Sequence, residues 1–571
     1  MSASIIRRQP EQVGGLPSSV HPLLRRVLAN RGINQPELLE LSAKALPKPQ
    51  LKGLEQAVSI LIDAIKQQLK IIVVGDFDAD GATSTALSVM SLKQLGSRNV
   101  DFLVPNRFDF GYGLSPQIVD VAAQHGAQVI MTVDNGISCI AGVERAKQLG
   151  IKVIVTDHHL PGDVLPNADA IVNPNQVDCP FPSKNLAGVG VAFYLMLAVR
   201  GQLRAENFFA DQQIPEPNLA EYLDLVALGT VADVVKLDHV NRILVQQGLN
   251  RIRQGYCRPG IKALLDVADR NPQFLVSSDF GFALGPRLNA AGRLDDMTLG
   301  ISCLMAQDYS NAIMLAARLD ELNKERREIE SGMQAEAMAT LEKTQVDGSA
   351  SGICLFDETW HQGVIGIVAG RIKEQYYRPT VVFAEGDNDE LKGSCRSIPG
   401  FHIRDALEFI DTRQPGLVIK FGGHAMAAGL SIRKHDYAVF KQAFELAVSK
   451  LIEPECLQHC IYSDGGLDGN YLTTQVADLL KRAMPWGQAF PEPIFDDEFI
   501  VINERILKDK HLKLVLQHPS GLSYDAIWFN YDQSLWRAQQ IHQVRVAYVL
   551  DTNTFRGKTS VQMMIRAMEV L

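Results

Sequence analysis

Between residues 70 and 156 the chain repeats one pattern: a short β-branched run, then a stretch of helical length that stops at a glycine. The runs are 70–74, 100–104, 129–133 and 151–155, and the intervening stretches include 83–95, closed by Gly96, 116–125, closed by Gly126, and one that ends at Gly150. Strands that alternate with helices of ten or so residues form βαβ units, which predicts an α/β fold with a parallel sheet and helices on both faces. In such sheets ligands collect outside the carboxyl ends of the strands. The turns that follow these runs are therefore the place to look for chemistry.

At 571 residues the chain exceeds a single core, so several domains are expected. Residues 1–50 read as an N-terminal extension without legible chemistry and 51–308 as the sheet domain. A charged stretch over 309–345 carries Leu315, Leu319, Leu322 and Ile329 at helical offsets and predicts a long connecting helix. A second α/β domain is expected over 346–452 and a β-rich domain over 453–571. The longest apolar run, Val189 to Val199, falls short of the roughly 18 residues that a membrane span needs and suits a buried helix. No membrane association is expected. The opening MSASIIRRQP has no apolar core of a signal peptide, so the expected compartment is the cytoplasm. The 8 cysteines form no C-x-x-C pair, in keeping with reduced thiols. Cys456, His459 and Cys460 offer half a zinc site, but no second pair follows at a suitable spacing, and ordinary thiols are the better reading.

Four acidic motifs follow apolar stretches of the first region. They are Asp76-Phe77-Asp78-Ala79-Asp80-Gly81, Asp134-Asn135-Gly136, Asp157-His158-His159 and, after the apolar run that ends at Ala232, Asp233. One strand-end aspartate is often only a cap or a turn former. Four in order, all read as lying at the carboxyl edge, point to convergence. Two carboxylates about 4 Å apart repel by about 4 kcal/mol at an effective dielectric near 20, so a converging set must take up protons or bind cations. Oxygen and imidazole donors without thiolate favour Mn²⁺ or Mg²⁺, and two such ions suit phosphodiester hydrolysis. The net charge of -9 counts these carboxylates without their cations and says little against a nucleic-acid substrate. Calcium sensing is rejected. The first motif resembles an EF-hand loop, but position twelve is Leu87, which has no oxygen to offer, and a strand rather than a helix precedes the loop.

DFDADG, VDNG, TDHH and GTVADV, in that order, resemble the four motifs of the DHH phosphoesterase superfamily. GGHAMAAG (422–429) resembles the signature of the associated DHHA1 domain. With GPRLNAAGRL (285–294) and WHQGVIGIVAGR (360–371), the similarity runs from about residue 70 to the C-terminus and lies with the bacterial single-strand-specific 5′→3′ exonucleases of that superfamily. The resemblance implies that Asp78, Asp80, Asp134, His158 and Asp233 hold two metal ions, with Asp134 as the bridge and Asp76 as a further ligand or a support. It implies that His159 contacts the scissile phosphate while Asp157 orients a neighbouring histidine. Pyrophosphatases of the superfamily carry a histidine four residues before the D-x-D pair; Val74 stands there, which weakens a pyrophosphatase reading.

In the second α/β region, Gly422, Gly423 and His424 follow an apolar strand, and the Ala-rich stretch beyond them is read as opening a helix whose N-terminus favours phosphate. The alternative is a plain strand-to-helix turn. Arg287, Arg293, Arg371 and Arg396 supply guanidinium forks suited to phosphate oxygens, and by resemblance this lobe grips the terminal nucleotide. From 501 onward the chain carries a positive surplus together with Trp528 and Trp536, and the resemblance implies an OB-fold here, with Trp528 a candidate for stacking on bases. The implied substrate is single-stranded DNA, degraded to 5′-mononucleotides. The implied partner is a single-strand-binding protein, and a monomer is expected. Rival readings are a phosphodiesterase for short oligonucleotides and a non-catalytic scaffold on the same fold; the intact acidic motifs weigh against the scaffold.

Overall fold

The computed structural model describes residues 3–9, 14–105, 113–343, 351–508, 510–531, 536 and 542–571. Its contacts divide the chain into two compact units. One comprises Pro10–Asn323 with Leu480–Glu492, and the other comprises Met1–Gln9, Lys324–Leu479 and Pro493–Leu571. The first strand, β1 (Ser4–Arg7), belongs to the latter unit.

The former unit is built on a five-stranded, all-parallel sheet. Its strands are β2 (Ile71–Val74), β3 (Val100–Leu103), β4 (Val129–Val133), β5 (Lys152–Thr156) and β6 (Ala170–Val172), in the spatial order β3-β2-β4-β5-β6. The strand order reverses at β2, where the chain steps first to β3 on one side and then back to β4 on the other. The parallel α/β architecture expected from the alternation is present. β2 and β4 are buried along their whole length, because helices cover both faces. Ile72, Val74, Ile130, Val153 and Val155 pack with Ile118, Val119 and Val143 on one side of the sheet. Burying side chains of this size contributes about 1.5 to 3 kcal/mol each.

The first helix starts earlier than its periodicity suggested, at Ala79, inside the acidic motif. The apolar run around Val189 forms the helix Gly188–Ala205, buried over most of its surface. One expectation needs correcting. Asp233 follows a helix, Leu223–Ala232, rather than a strand at the carboxyl edge. That helix is buried almost all round, so its sequence is a continuous apolar run, which periodicity cannot distinguish from a buried strand.

The charged stretch forms one helix, Tyr309–Lys343, with Leu319 and Leu322 buried; residues 344 and 345 of the expected helix lie outside the described residues. In the second unit, β7 (Ile353–Phe356), β8 (Thr380–Glu385), β9 (Glu390–Arg396), β10 (Lys420–Gly423) and β11 (Ala427–Arg433) form a mixed sheet in the order β10-β11-β9-β8-β7. The Gly-Gly-His motif therefore does not lead into a helix. Gly422 pairs with Gly429 and Gly423 with Ala428, and the His424 amide donates to the Ala427 carbonyl at 2.8 Å, closing a hairpin. Small residues at 427–429 serve a strand pressed between two neighbours, and pairing with β9 overrides their helix propensity.

β12 (Cys460–Ser463) pairs in parallel with β1. β13 (Phe495–Leu507), β14 (His511–Gln517), β15 (Ser523–Phe529), β16 (Gln543–Phe555) and β17 (Lys558–Val570) close a barrel in the order β13-β14-β15-β17-β16. The parallel β15–β17 pair closes an otherwise antiparallel barrel, the five-stranded arrangement of an OB-fold. Buried Asp496 ties β1 to this barrel by accepting from Arg7, Arg545 and Ser463.

Candidate metal centre

Three strand ends and one helix end deliver the acidic motifs to one place. β2 runs into the loop that starts the helix Ala79–Gln94, with Asp78 as its N-cap. Asp78 Oδ1 accepts the amides of Asp80 at 2.9 Å and Gly81 at 3.0 Å. Asp80 itself lies in the first turn of this helix, almost fully buried, and accepts the amides of Gly188 at 2.6 Å and Val189 at 3.0 Å. The positive end of the Gly188–Ala205 helix thus fixes the Asp80 carboxylate.

After β4, Asp134 adopts φ 62, a left-handed conformation that aspartate tolerates better than most residues. Asn135 secures the turn by donating to the carbonyls of Val74 at 3.1 Å and Val133 at 2.9 Å, which joins the ends of β2 and β4. Gly188 lies so close that a Cβ there would fall 2.7 Å from Asp134 Cβ and Oδ1. Only glycine lets the helix start against this aspartate.

After β5, Asp157 is buried and accepts the amides of Ile137 at 2.9 Å, His158 at 2.7 Å and His159 at 3.1 Å. His159 Nδ1 donates to the same carboxylate at 2.7 Å. Asn175 and Asn173 hold the carbonyls of His158 and His159 at 2.5 and 2.9 Å. His158 Nε2 lies 3.1 Å from Asp134 Oδ1 and 3.4 Å from Asp233 Oδ2. Asp233 caps the Leu223–Ala232 helix, and the next residue, Val234, takes φ 62, where a β-branched side chain is strained.

Ligand atoms gather in three overlapping groups, each within 4.8 Å: Asp134, His158 and His159; Asp80, His158 and Asp233; Asp76, Asp78 and Asp134. Every residue that the sequence singled out in the four motifs is in one of these groups, except Asp157, which lies behind His159. Asp134 and His158 each belong to two groups, so neighbouring cation positions would share them.

The electrostatics fit a cation. Burial, then Asp78, pushes the Asp80 carboxyl up to about 7. Burial, then Asp80 and Asp78, raises Asp134 and Asp233 well above the carboxylate range. Asp157 moves the other way: burial would raise it, but the hydrogen bond and charge of His159 outweigh that and hold it low. His159 in turn is lowered by burial but raised more by Asp157, to about 9. Carboxyls forced to share protons at neutral pH are a site built for positive charge. Oxygen and imidazole donors match Mn²⁺ or Mg²⁺. Cys456, His459 and Cys460 form no comparable group among the described residues; His459 stacks on Tyr377 at 4.5 Å.

The arginine candidates divide. Arg287 is buried and donates to Asp320 at 2.9 Å and to the Ala283 carbonyl at 2.6 Å, while Arg293, in the same helix, is half-buried. Arg371 donates to Glu330 at 2.9 Å and remains half-exposed. Arg396 ends β9 and donates to Ser394 Oγ at 3.1 Å and the Cys395 carbonyl at 2.8 Å. A Cβ on Gly366 would fall 2.8 Å from Arg396 Nη2, so this guanidinium abuts the N-terminal turn of the helix Ile365–Tyr376. Gly422 and His424 are exposed, and Gly423, at φ 141, is half-buried. On the barrel, Trp528 is half-buried and Phe529 exposed, whereas Tyr531 and Trp536 are buried.

Sequence reasoning missed the residues that hold the acidic groups in place: Gly188, Val189, Asn135, Asn173 and Asn175. An amide pair at a helix start has no sequence signature. The short asparagines beside strand ends do carry one, as turn formers.

The parallel sheet and the segments that bring Asp76, Asp78, Asp80, Asp134, His158 and His159 together fall in residues 70–230, which match the family described as DHH family, N-terminal domain. Residues 349–453 match the DHHA1 domain and 463–567 the RecJ OB domain. The chain is 55% identical over 563 residues, 98% of each chain, to the single-stranded-DNA-specific exonuclease RecJ of Escherichia coli K12. It belongs to the RecJ family. The crystal structure of RecJ from Thermus thermophilus in complex with Mn²⁺ superposes with a TM-score of 0.80 at 29% identity, covering 96% of this chain and 76% of that one. The corresponding Mg²⁺ complex gives 0.75 at 28%, covering 96% and 75%.

Proposed function

We propose that this protein is a single-stranded-DNA-specific exonuclease that hydrolyses the terminal phosphodiester in the 5′→3′ direction and releases 5′-mononucleotides, in DNA repair and recombination. One observation carries the reading: carboxylates and imidazoles from four separate segments converge into overlapping groups that share Asp134 and His158. Asp78, Asp80, Asp134, His158 and Asp233 are the proposed holders of two Mn²⁺ or Mg²⁺ ions, with Asp76 as a further ligand. When bound, such a pair supplies charge neutralisation at the phosphate and a nucleophile at neutral pH.

The chain's own residues do the rest. Asp157 accepts a hydrogen bond from the Nδ1–H of His159, which fixes the ring and leaves Nε2–H to donate to the scissile phosphate. The amides of Gly188 and Val189 hold the Asp80 carboxylate in its place in the centre. In the second unit, Arg396 at its helix N-terminus, with Gly422, Gly423 and His424, is the proposed binder of the strand's phosphates. Arg293 and Arg371 are further contacts, and Trp528 is a stacking surface on the barrel. Arg287, with its fork engaged by Asp320, supports this machinery from within its own unit.

A monomer, a single-strand-binding protein as partner and a cytoplasmic setting complete the proposal. All eight cysteines are free thiols, which supports a reducing compartment. No helix among the described residues is long and apolar enough to cross a membrane.

The test is digestion of strands labelled at the 5′ or the 3′ end, single or duplex, with each metal. Release of labelled mononucleotide first from the 5′ end of single strands is expected. Release first from the 3′ label would overturn the polarity, and equal digestion of duplex the strand selectivity.

A further inference from the structure

GPRLNAAGRL stands out in the sequence for its arginines, yet a side chain of this segment that meets the metal loop is the uncharged Asn289. The helix Ala79–Gln94 begins inside the DFDADG motif, and the amides of its first three residues need acceptors from outside the regular helical ladder. Asp78 Oδ1 takes those of Asp80 and Gly81, and the ladder itself starts where Ala82 donates to the Asp78 carbonyl at 2.9 Å. The remaining amide, that of Ala79, donates to Asn289 Oδ1 at 2.7 Å, from a residue 210 positions downstream.

The same helix touches the loop again one turn later. A Cβ on Gly292 would fall 1.7 Å from the Phe77 carbonyl oxygen, so helix backbone lies directly against the residue before Asp78. Asn289 and Gly292 are three residues apart and share a helix face. Between them they fix both peptide neighbours of Asp78. With the Ala79 amide served by Asn289, one carboxylate oxygen of Asp78 suffices for capping, and the same carboxylate belongs to the group with Asp76 and Asp134.

We infer that Asn289 is a positioning residue for the metal centre, acting through the Ala79 amide to aim the Asp78 carboxylate at the cation. The inference rests on the reading of Asp78 and Asp134 as metal holders. Loss of the acceptor leaves the Ala79 amide to compete for the Asp78 carboxylate, which turns the ligand away from its task without touching the cation or the DNA.

The test uses the full chain, stripped of metal with a chelator, as wild type, Asn289→Ala, Asn289→Asp and Asp134→Ala. Mn²⁺ is titrated calorimetrically, and hydrogen exchange is followed in the peptide covering residues 77–82 before metal is added. In Asn289→Ala, exchange in that peptide accelerates and Mn²⁺ affinity falls about 10- to 100-fold. KM for single-stranded DNA at saturating Mn²⁺ stays at its wild-type value. Asn289→Asp keeps an oxygen acceptor and recovers both exchange protection and affinity. Wild-type exchange and affinity in Asn289→Ala, or an Asn289→Asp variant as impaired as Asn289→Ala, overturns the inference. Should the alanine variant fail to fold by circular dichroism, Asn289→Leu, which keeps the size of the side chain but has no acceptor, carries the same expectations. If the wild type takes up no Mn²⁺, or Asp134→Ala takes up as much as wild type, the metal-centre reading falls and this inference with it. Binding lost in Asp134→Ala but unchanged in Asn289→Ala removes only the role of Asn289.

Discussion

Asp157 accepts a hydrogen bond from His159 Nδ1–H at 2.7 Å while also accepting three backbone amides, so the imidazole is held by a carboxylate that is itself tethered to the backbone. This pairing sets the charge of His159. The ring's pKa, raised to about 9, keeps it protonated at neutral pH, and that charge is lost as pH rises through the raised value. Asp157→Asn weakens the pair and lets the imidazole titrate nearer its ordinary value. The expected result is an alkaline limb of kcat displaced to lower pH, with kcat at neutral pH reduced about 10- to 100-fold. A pH profile matching wild type would show that His159 does not act as a cation.

Asp134→Ala removes a group shared by two of the three ligand clusters. Cleavage of a labelled strand in Mn²⁺ is expected to fall by at least about a thousandfold, since the cations and their charge neutralisation go together. Binding of single-stranded DNA, measured by fluorescence anisotropy, should survive.

Metal removal makes stability depend on pH in a direction opposite to that of an ordinary carboxylate. Asp80, raised to about 7, and Asp134 and Asp233, raised further, bind more protons folded than unfolded. The chelated protein therefore loses stability as pH rises from the ordinary carboxylate range through about 7. A cation must displace those protons, so Mn²⁺ is expected to raise the melting temperature more at pH 8 than at pH 6. Equal shifts at the two values would contradict proton-coupled binding.

Gly188→Ala places a methyl group 2.7 Å from Asp134 Cβ and Oδ1. Either the aspartate or the helix that holds Asp80 must shift, and displacement of about 1 Å in a catalytic site costs on the order of a hundredfold in rate. A strong drop in kcat with single-strand affinity retained is the expected signature.

Arg7→Ala should loosen the attachment of the first strand to the barrel. Asp496 is buried; burial raises its pKa, but hydrogen bonds from Arg7, Ser463 and Arg545 outweigh this and hold it below the ordinary carboxylate range. Its contribution is present above that range and is lost as pH falls through the depressed value. Arg7 is 56% exposed and Arg545 remains, so the cost is about 1 kcal/mol. Faster hydrogen exchange in β1 and β12 near neutral pH, with the difference from wild type shrinking as pH falls through the depressed value, would register it.

The parallel sheet was legible because strand and helix periods alternate without interruption from 70 to 156. The acidic motifs stood out for the same reason: each interrupts an apolar run with charge. Asp233 was found for its motif but placed on the wrong kind of element, since a helix buried all round leaves no periodic trace. The turn at 422–424 was misread as a helix start because alanine and glycine after a strand fit either outcome, and only pairing with β9 selects the hairpin. The arginines were visible as charges, but whether each meets a carboxylate, as Arg287 meets Asp320, depends on residues dozens of positions away.

The sequence by itself determined the strand order of chemistry: which short segments carry oxygen and nitrogen ligands, and that no thiolate joins them. Those are local properties, written in the period of apolar residues and the identity of the side chains that break it. Only the tertiary structure decided which atoms meet. Asp80 against the Gly188 amide, Asn289 against the Ala79 amide and His158 between Asp134 and Asp233 join segments up to 210 residues apart. Such contacts are fixed by how buried helices pack on the sheet, and no single stretch of chain encodes that packing.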